Sequence, residues 1–243
     1  MRWIYLSPHL DDAALSVGGL IYEQAKAGIP VEIWTIMAGF PPEGELSPLA
    51  GVLHHLWGFS SGHETVSARR TEDQIGASIL GARTVYFDFL DCIYRQGPGG
   101  SWLYTEDVAI PPLPADAGLP ARIAESVAMR LLPDDVLVCQ LAVGRHVDHV
   151  IVRAAAELLD RPLWYDVDIP YLFDHPGDLA PNLEGMKDVV YPVSEAAFQA
   201  WESSVLAYES QLSSLFDSLD GLRAALRRYW DDKRGIGLWR AGG

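Results

Sequence analysis

Cysteine and basic side chains are scarce in this sequence. Its 2 cysteines, Cys92 and Cys139, each lie inside an apolar run, which predicts buried packing thiols rather than a disulfide or a metal clamp. Lysine and arginine together number 18, against 33 aspartates and glutamates, so the formal net charge is -15. This balance argues against a nucleic-acid partner, because contacts to phosphates need clustered basic residues.

Long hydrophobic runs are also missing. No apolar stretch approaches the roughly 20 residues that span a bilayer, and the opening segment MRWIYLSPH lacks the basic region of a signal peptide. The sequence therefore predicts a soluble, cytoplasmic protein with no membrane span. The tryptophans of the tail, Trp230 and Trp239, could pack against a partner subunit, which leaves a homo-oligomer open.

Short apolar strands alternate with segments of helical spacing along the chain. The predicted strands cover residues 3–7, 31–37, 84–90, 135–141 and 162–168, with a further short strand over 189–193. The predicted helices cover residues 13–28, 67–80, 119–132, 146–159 and most of 195–226. This alternation predicts an α/β fold with a mostly parallel sheet and helices on both faces, in a single domain over residues 1–243.

Two long segments rich in glycine, proline and serine, 39–66 and 96–118, are predicted to be loops that form a lid or determine specificity. Their aromatic residues, Trp57, Trp102 and Tyr104, could stack on sugar rings or simply fasten the loops to the body. The histidines of the first loop are expected to be exposed loop residues; they are His54, His55 and His63.

The first cluster of ionisable residues directly follows the first predicted strand, a position where parallel sheets bind ligands. His9 and Asp12 are three residues apart, so one helical turn can aim both at one point, while Asp11 points elsewhere. The alternative is that one aspartate merely caps the following helix. Capping accounts for one aspartate but not for an adjacent pair beside a histidine.

A second cluster, GRHVDH over residues 144–149, follows the fourth predicted strand. His146 and His149 are again three residues apart, at the start of a predicted helix. Taken alone, they could equally be a surface pair. Because parallel strands end at one edge of their sheet, the two clusters are predicted to meet.

Together these residue types suit a catalytic zinc ion, which takes three His, Asp or Glu ligands and leaves a fourth position for water. His9, Asp12 and His149 supply such a set. Asp11 and His146 would lie near the open position, where a carboxylate can take a proton from the bound water and a histidine can stabilise or protonate what forms. This is the chemistry of amide hydrolysis, and other divalent transition metals suit the same ligands.

At these motifs the sequence resembles the LmbE-like, or PIG-L-type, family of zinc-dependent de-N-acetylases. The family has a Pro-His-x-Asp-Asp motif after its first strand and a His-x-Asp-His motif much later, which stand here at residues 8–12 and 146–149. Leu10 and Ala13 occupy places where the family commonly has proline and glutamate.

Weaker similarities extend the resemblance over about residues 3–212. They are an Arg-x-x-Glu helix that begins at Arg69, an acidic segment over 88–91 and a Tyr-x-Ser-Gln stretch that begins at Tyr208.

The resemblance implies a Rossmann-like fold and one zinc ion with the same three ligands. It makes Asp11 the general base and His146 the group that stabilises the tetrahedral intermediate or protonates the leaving amine. Asp148 would orient His146 or a metal ligand. Arg69 would bind a substrate hydroxyl or carboxylate; the alternative is a surface ion pair with an acidic neighbour one turn along its helix.

The predicted function is therefore a zinc-dependent N-deacetylase that removes an acetyl or other acyl group from an N-acylated amino sugar or related glycoconjugate. One alternative is a metal-dependent phosphoesterase, which often needs two metals and more carboxylates than the two clusters offer. The other is a non-catalytic binding protein on the same fold, which would have no use for Asp11 and His146.

Overall fold

The computed structural model describes residues 1–241, in which seven strands form one sheet. They are β1 (Trp3–Ser7), β2 (Val31–Thr35), β3 (Arg83–Tyr86), β4 (Val136–Gln140), β5 (Leu163–Asp166), β6 (Met186–Pro192) and β7 (Gly235–Ala241). Their order in space is β3-β2-β1-β4-β5-β7-β6; the first five are parallel, and β7 is antiparallel to both its neighbours. The order reverses between β1 and β4, which is where Rossmann-like sheets open a crevice for ligands.

Helices cover both faces of this sheet. Their bounds are α1 (Asp12–Lys26), α2 (Pro48–Trp57), α3 (Gly62–Leu80), α4 (Leu119–Ala128), α5 (Val147–Glu157), α6 (Tyr171–Asp174), α7 (Leu179–Asn182), α8 (Glu195–Val205), α9 (Glu209–Leu215) and α10 (Leu219–Lys233). Alternate residues of β1 enter two different cores: Trp3 and Tyr5 pack with α1, α8 and α10, whereas Ile4 and Leu6 pack with α4 and α5. The predicted Rossmann-like α/β architecture is confirmed.

Helix α1 is held against α8 by a close approach of the two backbones. A Cβ atom on Gly18 would lie 2.5 Å from Trp201 Cδ1, so a larger residue would push α8 away. The Trp201 indole also donates a hydrogen bond of 2.8 Å to the carbonyl of Ala14. These contacts fix the position of α1, whose first turn carries part of the site.

The prediction that residues 39–66 form a loop is wrong, because they contain α2 and the first residues of α3. Ser47 Oγ accepts a hydrogen bond from the Ala50 amide and Pro48 fills the first helical position, so α2 has a complete N-terminal cap. Gly58, with φ of 80°, ends it. His54 is buried on this helix, with Nε2 2.6 Å from the Tyr94 hydroxyl, and not exposed as expected.

The stretch over residues 195–226 is largely helical, as predicted, and contains α8, α9 and the first part of α10. Ser194 and Ser218 cap α8 and α10. Strand β7 was not predicted, because its glycines interrupt the apolar pattern; Gly235 lies against the Tyr191 backbone, where a side chain would not fit. Among the helices of residues 1–241, none combines the length and hydropathy that a bilayer span requires.

Candidate active site

The two predicted clusters meet at the carboxyl edge of the sheet, beside the switch point between β1 and β4. The ring centres of His9 and His146 are 4.8 Å apart, and that of His149 lies 5.3 Å and 5.1 Å from them. A ring nitrogen from each of the three falls within 4.8 Å of the others. Strand geometry thus brings together side chains that are about 140 positions apart in the chain.

The three predicted metal ligands converge on one point. Asp12 Oδ2 lies 3.3 Å from His9 Nδ1 and 3.5 Å from His149 Nε2. Within residues 1–241, the buried His149 Nε2 has no hydrogen-bond partner, which is costly for a polar atom unless something else binds there. Two imidazole nitrogens and a carboxylate are donors that suit a divalent transition metal, so these residues fit such an ion.

Each of the two histidines predicted to be ligands has its other ring nitrogen beside a buried carboxylate. His149 Nδ1 is 2.7 Å from Asp168 Oδ1, and His9 Nε2 is 3.1 Å from Asp148 Oδ2. Such partners fix the tautomer and the orientation of a metal-binding imidazole. Asp168 was missed in the sequence, although its place just after β5, at the same edge of the sheet, is a usable signal.

Asp148 was predicted to orient His146 or a metal ligand, and it contacts His146 as well as the predicted ligand His9. Its carboxylate faces His9, while its backbone amide donates to His146 Nδ1 over 3.2 Å. Burial alone would raise the pKa of Asp148, but the Arg95 guanidinium, 2.5 Å from its Oδ1, and His9 lower it. Arg95 was not singled out in the sequence.

Asp11 occupies the N-cap position of α1 with φ of 154°, yet its side chain makes no capping hydrogen bond. The capping alternative therefore does not explain this residue. Burial raises the pKa of Asp11 to about 7, with Arg69 opposing the rise and Asp12 adding to it. A carboxylate whose pKa lies near neutrality is suited to accept a proton during catalysis.

Arg69 is buried at the site and makes no surface ion pair, so that alternative is wrong. Its Nη2 lies 3.5 Å from Asp11 Oδ2, and its Nη1 lies 4.0 Å from Asp91 Oδ2. Its guanidinium lies 5.0 Å from the centre of the Trp57 ring. The acidic neighbours on its helix have other partners, Ser210 for Glu72 and the hydroxyls of Tyr86 and Tyr208 for Asp73.

Their surroundings shift the pKa values of the three histidines in different directions. Burial lowers the pKa of His146 well below its ordinary value, and the other two histidines add to this effect. Because His146 Nδ1 accepts the Asp148 amide hydrogen, the neutral ring carries its proton on Nε2. Burial would also lower the pKa of His9 and of His149, but nearby carboxylates, Asp91 and Asp12 foremost, raise both.

Cys92 and Cys139 are buried free thiols, as the sequence predicts. A potential ligand atom of Cys92 lies within 4.8 Å of His146 and Asp148. Burial raises the pKa of the Cys92 thiol well above its ordinary value, and Asp148 adds to the rise. The thiol is therefore neutral and packs behind the site.

A cavity of about 280 Å³ opens over these residues. Asp11, Asp12, His9 and His146 form its floor, together with Arg69. Helices α2 and α9 line the cavity with apolar side chains, which are Leu49, Leu53, Trp57 and Leu215, and α9 adds Gln211 and Ser214. The segment over residues 106–108 lines the rim, so both regions predicted to determine specificity reach the cavity.

The three loop aromatic residues have different positions. Trp57 lines the cavity and donates a hydrogen bond of 3.1 Å to Ser214 Oγ. Tyr104 is buried away from it and donates to Asp116 Oδ2 over 2.7 Å, which fastens the second loop. Trp102 is not among the residues that line the cavity. Of the three, Trp57 is the one placed to contact a bound sugar.

Comparisons with known proteins agree with this geometry. A family model described as PIG-L, GlcNAc-PI de-N-acetylase, matches residues 4–159. The 2'-N-acetylparomamine deacetylase of Niallia circulans is 25% identical over 272 residues, which cover 98% of this chain and 93% of the relative.

Solved structures give the same result. The zinc-inhibited form of teicoplanin deacetylase superposes with a TM-score of 0.86 at 26% identity, covering 99% of this chain and 97% of the other. The deacetylase of A40926 pseudoaglycone superposes with a TM-score of 0.80 at 28% identity, covering 98% and 96%. These relatives are all deacetylases.

Proposed function

The chain belongs to the PIG-L family of de-N-acetylases, and from this premise we propose that it removes the acyl group from an N-acylated amino sugar carried on a larger glycoside. Relatives named for 2'-N-acetylparomamine, teicoplanin and A40926 pseudoaglycone support this class of substrate. They favour amide hydrolysis over the phosphoesterase and the non-catalytic alternatives. A cytoplasmic location and a homo-oligomer stay predictions.

One observation carries the proposal: His9 Nδ1, Asp12 Oδ2 and the unpartnered His149 Nε2 converge within a buried site. These three residues would hold one metal ion, which we propose to be zinc. A bound zinc ion would polarise the amide carbonyl and lower the pKa of a water molecule. The other residues of the floor then supply the proton transfers.

Asp11 acts as the general base in this proposal. It takes a proton from the attacking water, whose oxygen bonds to the carbonyl carbon, and its pKa of about 7 leaves it partly ionised near neutral pH. Arg69 Nη2, 3.5 Å from Asp11 Oδ2, stabilises the ionised form and holds the carboxylate in place. Arg69 also lines the cavity, where it can donate to a substrate hydroxyl.

His146 stabilises the negative charge that develops on the amide oxygen. Its Nδ1 is occupied by the Asp148 amide, so its Nε2–H is free to donate to the carbonyl oxygen as that oxygen becomes negative. Breaking the carbon–nitrogen bond leaves an amine that takes the proton held by Asp11, which returns Asp11 to its ionised form, while His146 keeps its Nε2 proton. The products are a carboxylate and a free amino sugar.

The test replaces the base while keeping the shape of its side chain. Asp11→Asn should retain one metal ion per chain yet release acetate from N-acetyl amino sugars about 10²- to 10⁴-fold more slowly than the unmodified protein. The substrate panel includes a free N-acetyl sugar, an N-acetylated aminoglycoside and an N-acetylglucosaminyl glycopeptide. Asp134→Asn, at an exposed aspartate before β4, is the matched control and should be unchanged.

Three results would contradict parts of the proposal. Normal turnover by metal-loaded Asp11→Asn would show that Asp11 is not the general base. An unmodified, metal-loaded protein that cleaves none of the panel would overturn the substrate class. Two ions per chain, with release of phosphate from phosphoesters, would favour the phosphoesterase alternative.

A further inference from the structure

Arg95 is a buried cation beside the site that the proposed mechanism does not use. It follows the short helical turn Cys92–Tyr94 and is 7% exposed. Its Nη1 lies 2.5 Å from Asp148 Oδ1, and its Nη2 lies 3.1 Å from Asp116 Oδ2. Burial of an arginine is costly, so its two carboxylate partners are what keep it charged there.

The two oxygens of Asp148 have separate partners. Oδ1 faces Arg95, whereas Oδ2 accepts the Cys92 amide hydrogen over 2.9 Å and lies 3.1 Å from His9 Nε2. The Asp148 side chain has no solvent exposure, so water cannot replace a lost partner. Because a carboxylate is planar and rigid, holding one oxygen in place also sets where the other meets His9. That contact keeps the His9 proton on Nε2 and leaves Nδ1 facing Asp12.

Arg95 also contacts the loop over residues 96–118, through its ion pair with Asp116. Asp116 Oδ2 accepts the Tyr104 hydroxyl over 2.7 Å, and the same hydroxyl accepts the Leu113 amide hydrogen over 3.1 Å. The Arg95 guanidinium lies 5.1 Å from the Tyr104 ring centre. The rim residues 106–108 belong to this same loop. Two buried ion pairs therefore connect the loop at the cavity to a proposed metal ligand.

We propose that Arg95 is a positioning residue that sets the metal affinity of the site by holding Asp148 against His9, and that it couples the loop over 96–118 to the metal. The inference rests on the proposed function, since it takes His9 as a metal ligand. Removing Arg95 would leave the Asp148 carboxylate buried without its counter-ion and free to turn away from its place.

The first experiment measures the dissociation constant of Zn²⁺ by competition with a chromogenic chelator. Arg95→Met keeps the length of the side chain without its charge and should weaken binding by about tenfold or more. Arg95→Lys keeps the charge and should recover part of the loss. Arg122→Met removes an exposed arginine from the groove beside Arg95 and should bind like the unmodified protein.

A double-mutant cycle separates positioning from general destabilisation. If Arg95 acts through Asp148, then Arg95→Met should change zinc affinity by less than about twofold in a protein that already carries Asp148→Asn. An equal loss in both backgrounds would show that Arg95 does not act through this carboxylate and would overturn the inference. If Arg95→Met does not fold, the same cycle is run with Arg95→Lys, and Asp116→Asn tests the loop contact.

The proposed function and this inference fail in different ways. If the unmodified protein binds no zinc, or His9→Ala binds it equally well, the assigned ligands are wrong. If the unmodified protein binds one ion, His9→Ala loses it and the Arg95 and Asp116 variants bind normally, then only the role of Arg95 is wrong.

Discussion

The two walls of the cavity are built in different ways. The metal-side wall, named for the proposed ligands His9 and Asp12, stands on the carboxyl edge of the sheet. The third proposed ligand, His149, contacts Asp12 without lining the cavity, and all three side chains are buried. The outer wall, formed by Leu49, Leu53, Trp57 and Leu215, comes from α2 and α9, and all four side chains are partly buried. In the proposed function the sheet edge thus carries the reacting groups, while helices outside the sheet carry the surface that contacts the substrate.

The two walls also differ in the contacts that hold their side chains in place. At the metal-side wall each histidine proposed as a ligand is held by a buried carboxylate, so losing one partner leaves a charge without compensation. On the outer wall the main polar contact is the hydrogen bond from Trp57 to Ser214. We therefore expect changes on the first wall to act on metal binding and changes on the second to act on substrate binding.

The largest effect is expected from removing a ligand. His149→Ala should lose the metal and reduce activity to that of the unmodified protein treated with a chelator, because it leaves only two of the three proposed ligands. Metal content by mass spectrometry and acetate release measure the two effects. His63→Ala, at an exposed histidine of α3, is the control. If His149→Ala retained one tightly bound ion, His149 would not be a metal ligand.

The pH dependence of metal affinity tests the charges on the same wall. The raised pKa values of His9 and His149, caused foremost by Asp91 and Asp12, mean that both rings keep their protons to a higher pH in the metal-free protein than a free imidazole does. Their ion pairs stabilise the metal-free fold below the ordinary histidine pKa, and that contribution is lost as the pH rises through the raised values. A metal must displace these protons, so its affinity should rise with pH.

We expect an increase of about tenfold per pH unit for each proton released between about pH 6 and pH 8. Calorimetry in buffers of different ionisation enthalpy counts those protons directly. An affinity that stays flat over this range would show that the ligands are already deprotonated.

A smaller effect is expected from the carboxylate behind His149. Asp168→Asn keeps the size of the side chain but removes the charge that fixes His149 Nδ1, and should weaken zinc binding by about 10- to 100-fold. The folded structure should survive, as judged by circular dichroism. Asp174→Asn, at an exposed aspartate of α6, should have no effect. Unchanged zinc affinity in Asp168→Asn would mean that the imidazole does not depend on this partner.

The sequence was sufficient to predict much of the metal-side wall. A strand followed at once by His9 and Asp12, and a later strand followed by His149, imply that these side chains share one sheet edge. The sheet core was also predictable, because β1 to β5 are short apolar runs. Arg95 was not found, since its role depends on a contact with a residue 53 positions away, and Asp168 was overlooked although it follows β5 at the same sheet edge.

The outer wall was the harder part to predict. Its helix α2 lies in a segment whose glycines and prolines resemble a loop, and the Ser47–Pro48 cap that starts it is a weak local signal. Contact between α2 and α9 depends on the packing of segments about 160 residues apart, which spacing alone does not reveal. The positions of the metal-side residues follow from where the strands end, which can be recognised locally in the sequence, whereas the outer wall depends on tertiary structure.

The smallest effect is expected on this outer wall, from Trp57→Ala. The indole covers the Arg69 guanidinium at 5.0 Å and lines the cavity, so its loss should weaken substrate binding. We expect KM to rise by about tenfold, with kcat changed less and zinc affinity not at all. Trp102→Ala removes an aromatic residue of the other loop that does not line the cavity and serves as the matched control.

The relative changes in KM and kcat of Trp57→Ala show whether the two walls act independently of each other. If Trp57→Ala lowers kcat as much as it raises KM, then Arg69 has moved and Asp11 with it, because Arg69 Nη2 lies 3.5 Å from Asp11 Oδ2. Adding Ser214→Ala, which removes only the hydroxyl that accepts the indole N–H, distinguishes the two cases. A change in KM shared by both variants places the effect in the outer wall, whereas a fall in kcat confined to Trp57→Ala places it at Arg69.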